Sequence, residues 1–490
     1  MKTTSRALRS WVVALGLTGS FGALAVPSPE AARAAGAEQV RAVGGEERVE
    51  PDLLEIKFHE NQYIRLRDGL PTDLGGRGLR HAQAHEMLRQ VAGGKWSRSH
   101  EVAEEVLEEL RSDGELRTRE ALPDLNLYFR LRLPPGMEVD RIAAAFRQLP
   151  EVEAVYRVPR PAPSPVAPDY YSVSSGSYQK YQDAAPAGVD GRFAGTQLGA
   201  RGTGVKICDI EYSYNASHVD LGVVTLVGGA PVDPFNNNNH GTAVLGVYGG
   251  TANSEGVTGI AYASQKLFAA ANTASGYNVG AAITTCAANM SAGDVIVIEQ
   301  QLSGPMNSEY VPVEWYKPWY DAIRTAVAAN KIVVEAAGNG SQNLDDPLYS
   351  SGNNGHYPFL AQNDSGAILV GAGKSPAYGS LARSAHDFSN YGATVDLQGW
   401  GDAVVTTGYG TLYSAEGVNR HFASSFAGTS SATPIVAGAV ASLQGRYKHL
   451  YGTYMTPASV KSRLRTYGTA QTGLKKIGPM PDLLRAITGL

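Results

Sequence analysis

The stretch SFAGTSSATPIVAGAVASLQG, residues 425–445, runs from a turn of small residues directly into a long apolar helix, with Ser430 at the junction. A serine placed there lies beside unpaired backbone N–H groups and the positive end of the helix dipole, where an oxyanion or an attacking alkoxide is stabilised. Pro434 fits a first helical turn, in which proline costs no hydrogen bond. Taken alone, the same residues also describe an N-cap serine on an ordinary core helix. The meaning of Ser430 therefore depends on what the rest of the chain brings to it.

From about residue 202 the pattern is strand, glycine loop, helix, repeated. Residues 205–211, 266–271, 295–300 and 332–336 read as apolar strands, and 240–249, 279–290 and 319–329 as helices. This alternation predicts an α/β fold, a parallel sheet with helices on both faces and ligands at the carboxyl ends of the strands. Candidate chemical groups fall at those ends. Glu211 closes the first strand in VKICDIEYSYNASHVDL, with Asp209 two residues earlier on the same face. His240 heads a helix in NNNNHGTAVLG, and Asn339 follows a strand in IVVEAAGNG. A serine nucleophile needs a base within hydrogen-bond reach, and that imidazole needs a carboxylate to hold its tautomer and stabilise its cation. A side-chain amide such as that of Asn339 is suited to donate to an oxyanion. Singly, each group has a plainer reading as a helix cap or a turn residue.

The N-terminal part has a different character. Arg6 and Arg9 precede an apolar run from Trp11 to Val26, which reads as a secretory signal peptide over residues 1–34, with cleavage after Ala25 or Ala34. The run is short and broken by Gly16, Gly19 and Gly22, which argues against a membrane anchor. Residues 35–168 form a small, charged α+β region: strands at 53–58 and 63–66, helical patterning over 79–110 with a break at Gly93 and Gly94, then strand, helix and strand at 125–133, 139–149 and 152–158. PRPAPSPVAP, residues 159–168, is a proline-rich linker to the larger domain, 169–490. His81 and His85 have metal-ligand spacing, but Ala82 stands where a zinc H-E-x-x-H site has glutamate. With a formal charge of −4, the chain has no basic surface that implies nucleic acid. Cys208 and Cys286 are the only thiols, too few for a disulfide framework; they pair or are both buried and free.

Together these groups resemble the subtilisin-like serine peptidases. Ser430 lies in GTSSATP, matching that family's G-T-S-x-A-x-P; His240 lies in HGT followed by Ala243, Val244 and Gly246; Asn339 lies in AAGN. GVTGIA (256–261) and FSNYG (388–392) extend the likeness, which spans about residues 185–490. The resemblance implies a secreted endopeptidase, made as a self-processing zymogen, cutting polypeptides through an acyl-enzyme on Ser430 without a cofactor for the chemistry. It implies His240 as base, Asn339 as oxyanion donor, and a monomer with no membrane partner. The family has Asp where this chain has Glu211, and its following Ser or Thr and Gly are Tyr212 and Ser213 here. Spacing favours Glu211 over Asp209 as the acid, its longer side chain requiring the backbone to sit about one bond further from His240.

By resemblance, substrate lies extended against the segment holding Glu299, Gln300 and Gln301. The family's counterpart is small and glycine-containing, so Glu299 is read either as selecting a basic side chain or as a solvated edge charge. Asp220 and Asn253 align with positions at which the family often binds a structural calcium, whose further ligands would be backbone oxygens and a glutamine near 179–182. The N-terminal region is similar in pattern to the family's propeptides, its own cleft-occupying partner, with a cut between about residues 161 and 176. The altered acid motif leaves a catalytically silent binding protein as the competing reading. An esterase is disfavoured, because the chain has neither a G-x-S-x-G elbow nor G-D-S-G-G.

Overall fold

The computed structural model describes residues 49–60, 62–75, 87, 91, 93–161, 179–253, 256–305 and 309–490. The signal-peptide reading, His81, His85 and nearly all of the expected processing region lie outside them.

In the N-terminal region, strands β1 (Val49–Phe58), β4 (Lys95–Arg98), β5 (Tyr128–Arg132) and β6 (Val152–Pro159) form an antiparallel sheet in the order β4-β5-β1-β6, beside a hairpin of β2 (Ile64–Arg67) and β3 (Leu70–Asp73). Helices α1 (Glu104–Thr118) and α2 (Val139–Phe146) accompany it. The strand–helix–strand expected near the end is present as β5-α2-β6, with β1 inserted between its two strands. After Gly94 the helical reading of 79–110 needs correcting. After the glycine pair the chain alternates, Trp96 inward between Lys95 and Ser97 outward, and pairs with β5; the helix begins only at Glu104 and continues to Thr118.

The large domain is built on a seven-stranded parallel sheet, order β17-β16-β15-β12-β7-β9-β8. Its strands are β7 (Lys206–Glu211), β8 (Val224–Val227), β9 (Gln265–Ala270), β12 (Val295–Ile298), β15 (Ile332–Ala336), β16 (Ile368–Gly373) and β17 (Leu397–Trp400). Short hairpins β10 (Asn272–Thr273) with β11 (Gly276–Tyr277), β13 (Gln301–Ser303) with β14 (Tyr310–Pro312), and β18 (Val404–Thr407) with β19 (Phe422–Phe426) edge it. The helices of this domain are α3 (Gly191–Thr196), α4 (Asn239–Gly249), α5 (Val279–Ala288), α6 (Lys317–Ala328), α7 (Thr429–Tyr451), α8 (Pro457–Tyr467) and α9 (Leu483–Thr488).

Side chains alternate between the two faces of this sheet, and the cores show which helices lie on each. Val205, Ile207, Val295, Val297, Ile332 and Val334 share a core with α4 and α7. Cys208, Ile210, Ile296, Ile298 and Val333 share the other with α5 and α6. The N-terminal region docks on this second face, where Leu107, Leu110, Leu125 and Tyr128 enter the same core. Tyr128 Oη donates to Asp321 Oδ2 at 2.5 Å, Asn278 Nδ2 to the Ser99 carbonyl at 2.6 Å, and Tyr316 Oη to Glu55 Oε2 at 2.9 Å.

The cysteine question is resolved on this face: Cys208 of β7 is disulfide-bonded to Cys286 of α5, closing 78 residues. A crosslink of that span narrows the unfolded ensemble. Replacing both cysteines by alanine is expected to lower stability by about 2–5 kcal/mol, read as a fall in the variant's denaturant midpoint relative to that of the oxidised protein.

Candidate active site

Four chain segments converge where β7, β12 and β15 end. The odd-numbered residues of β7 face α4 and α7, so Asp209 and Glu211 continue the line begun by Val205 and Ile207. Helix α4 starts one residue before His240. Gly241 lets that first turn approach the loop after β7: a Cβ there would lie 2.3 Å from the Ser213 carbonyl oxygen. His240 Nδ1 is consequently bonded to Glu211 Oε1, both residues being buried. Glu211 Oε2 accepts from the Tyr212 N–H at 3.1 Å and from Gln300 Nε2 at 3.5 Å. Asp209 makes no such contact. It is fully buried, and burial, followed by the charge of Glu211, holds its carboxyl well above the usual carboxylate range.

Ser430 is the second residue of α7, entered through Gly428 at φ +103°, a backbone conformation that favours glycine. Its N–H therefore lies outside the intrahelical ladder. Pro434 is the sixth residue, past the first turn where the sequence reading put it, and it withholds the N–H that would bond the Ser430 carbonyl. Asn339 follows β15. Its Oδ1 accepts from Thr429 N at 2.9 Å and Thr429 Oγ1 at 3.0 Å, and its own N–H donates to Gln301 Oε1 at 3.0 Å. Those bonds fix the amide so that Nδ2 is the end left over. His240 Nε2, Ser430 Oγ and Asn339 Nδ2 are all buried without a hydrogen-bond partner. That is the set of atoms an acyl transfer engages: a base, a nucleophile and an oxyanion donor.

The segment read as facing substrate is different. Glu299, Gln300 and Gln301 are all buried. Gln300 bonds Glu211 and accepts from Tyr277 Oη at 3.2 Å, while Gln301 orients Asn339. β13 is paired with β14 along one edge. Glu299 is thus neither an exposed edge charge nor open to a substrate side chain, because β12 carries it into the interior on the same face as Val295 and Val297. Two residues that orient the site went unnoticed in the sequence, Thr429 and Asn390, while Gln301, read there as facing substrate, braces Asn339 instead. Asn390 Oδ1 accepts from Gly340 N and Gln342 N, and its Nδ2 donates to the Tyr310 and Ala337 carbonyls, holding the loop that bears Asn339. Its place in FSNYG was the available signal.

At the other candidate site, Asp220 Oδ1 accepts from Asn253 Nδ2 at 3.0 Å and Oδ2 from the Val257 N–H at 2.6 Å. Burial pushes the Asp220 carboxyl up to about 6. Gln179 reaches the same loop, bonding both the N–H and the carbonyl of Thr258. Asp220, Asn253 and a glutamine thus surround one loop, and turning the Asn253 amide would present its oxygen to a cation. Among the described residues no group of three His, Cys, Asp or Glu side chains is placed to hold a metal.

Residues 202–477 match the sequence profile of the subtilase family. The chain belongs to that family. It is 30% identical over 278 residues to subtilisin DY of Bacillus licheniformis, covering 55% of this chain and 86% of that protein. It is 31% identical over 249 residues to an intracellular serine protease of Paenibacillus polymyxa, covering 49% and 67%. Fervidolysin from Fervidobacterium pennivorans, a keratinolytic enzyme related to subtilisin, has the same fold at a TM-score of 0.57 and 16% identity, over 91% of this chain and 62% of that one. This subtilase is a serine-type endopeptidase, a hydrolase of polypeptides needing no cofactor for its chemistry. Because Glu211 and not Asp209 meets the imidazole, Glu211→Gln is expected to lower kcat by about 10⁴-fold, as loss of a tautomer-fixing carboxylate does. Asp209→Asn is expected to cost less than about tenfold, and kcat values of the two purified variants check the ranking.

Proposed function

We propose that this subtilase is a secreted endopeptidase made as a zymogen, with Ser430 as nucleophile, His240 as general base, Glu211 as the acid and Asn339 as oxyanion donor. The observation that carries the assignment is the buried His240 Nδ1 to Glu211 contact, with His240 Nε2, Ser430 Oγ and Asn339 Nδ2 left unpartnered beside it. Ser430 Oγ attacks the scissile carbonyl, and His240 Nε2 takes its proton. Glu211 holds the imidazole tautomer and stabilises the cation that forms. Asn339 Nδ2 and the Ser430 N–H receive the oxyanion. His240 then returns the proton to the leaving amine, and water hydrolyses the acyl-enzyme. Glutamate serves in place of aspartate here because only the carboxylate is required, and its extra methylene is taken up between β7 and α4. This favours an active enzyme over a silent relative. For loss of the asparagine donor, the figure measured in subtilisin, of the same family, carries over: about 10²–10³ in turnover.

In this reading residues 1–34 direct export, and 35–168 are an intramolecular partner, separated from the mature enzyme at 169–490 by the proline-rich linker. The support is the apolar core that the N-terminal region shares with α5 and α6. No helix among the described residues is long and apolar enough to cross a membrane. The mature enzyme is proposed as a monomer. Ser430→Ala is expected to accumulate full-length precursor in a protease-free host; electrophoresis and N-terminal sequencing decide, and normal maturation overturns self-processing. A structural calcium is proposed at Asp220, Asn253 and the loop carbonyls, where it would brace the loop and take no part in the chemistry. Calcium at 100 times its Kd would then stabilise the fold by about 2.7 kcal/mol. Thermal unfolding with calcium and with chelator is expected to show a gap that Asp220→Asn abolishes.

A further inference from the structure

Three carboxyl side chains, Asp209, Glu211 and Glu299, lie on one buried face at the head of α7. The parallel register of β12 and β7 pairs Val297 with Asp209 and Ile298 with Ile210, and the Glu299 N–H to Ile210 carbonyl bond at 3.4 Å continues it, setting Glu299 beside Glu211. Glu299 is 0% exposed, and neither of its carboxyl oxygens has a hydrogen-bond partner. The groups around it are Asp209 and Glu211 on β7, Tyr248 on α4 and the Ser430 hydroxyl on α7, with no lysine or arginine among them. A triad needs one of these acids, Glu211, to be charged. A second carboxylate on the neighbouring strand beside the first, with no cation to share, is strongly disfavoured.

Resting on the assignment of Ser430 as nucleophile, we propose that Glu299 is a positioning residue whose neutral form leaves the Ser430 hydroxyl free to turn to His240, and whose ionised form captures that hydroxyl. Ser430 Oγ faces the Glu299 carboxyl closely enough for its hydroxyl to favour the ionised form, and it makes no hydrogen bond to His240 Nε2. A carboxylate is the better acceptor for the serine O–H. Once Glu299 ionises, the hydroxyl hydrogen points away from the base, and a second negative charge also faces the oxyanion that must form. The sign follows from the direction of the shift. Burial, then the charges of Glu211 and Asp209, hold the Glu299 carboxyl well above the usual range, so its neutral form outlasts that of an ordinary glutamate as pH rises. Activity is accordingly lost on the alkaline side. The effect on the nucleophile is visible in acylation, the step that a covalent label of Ser430 reports.

The test is the rate of labelling of the processed protein by a fluorophosphonate as a function of pH. In the wild type the rate is expected to fall about tenfold per pH unit above the Glu299 ionisation. In Glu299→Gln, whose side chain cannot ionise, this alkaline limb is expected to vanish. Identical limbs in the two proteins overturn the proposal. If Glu299→Gln does not fold, the wild type still decides, because a rate flat to about pH 10 leaves no ionisation for Glu299 to supply. Ser430→Ala separates the two ideas: continued active-site labelling of that variant overturns the nucleophile assignment, whereas its loss together with unchanged limbs overturns only the role of Glu299.

Discussion

A buried imidazole bonded to a buried carboxylate is the interaction on which the site turns. Taking His240 and Glu211 out of water is costly for each separately, and they are tolerated together because each satisfies the other. The geometry has three sources. β7 ends at Glu211; Gly241 allows α4 to close on the loop that follows; and the second turn of α4 is packed from the other side by the β18 hydroxyls, Thr407 Oγ1 reaching the Thr242 carbonyl and Thr406 Oγ1 that of Ala243. The aromatic ring of Phe426 stands edge-on to the imidazole. A small displacement of any of these would separate the pair, so the sheet core is also the foundation of the chemistry.

The same logic explains the burial of the segment after β12. In a site exposed to substrate, Gln300 and Gln301 would be expected to point outward. Here they brace Glu211 and Asn339. The disulfide and the docked N-terminal region act on the opposite face of β7 and β12. The two faces of one sheet thus differ, with the His240–Glu211 pair toward α4 and α7 and the disulfide and docked region toward α5 and α6.

Much of this is legible in the sequence. Four of the seven strands in the large sheet read correctly because they are largely apolar stretches between loops and helices. β8, β16 and β17 did not. Thr225 and Leu226 lie exposed on an edge strand, and ILVGAG and LQGW carry glycines that dilute the apolar signal. β4 was hidden inside a charge-rich stretch whose neighbour is helical, since four residues are too few to establish a period of two.

The order of acid, histidine, asparagine and serine, and the motifs that hold them, are properties of the sequence, because local turn chemistry requires those residues at those spacings. Which of two acids meets the histidine, whether the cysteines pair, and which way Glu299 points were decided only by the tertiary structure. Each depends on a distance between strands and helices far apart in the chain. Asp209 and Glu211 are alike to any reading of alternation, and Glu299 looks like an edge charge until β7 is placed beside β12. Local pattern sets which face a side chain takes, and only packing sets what it finds there.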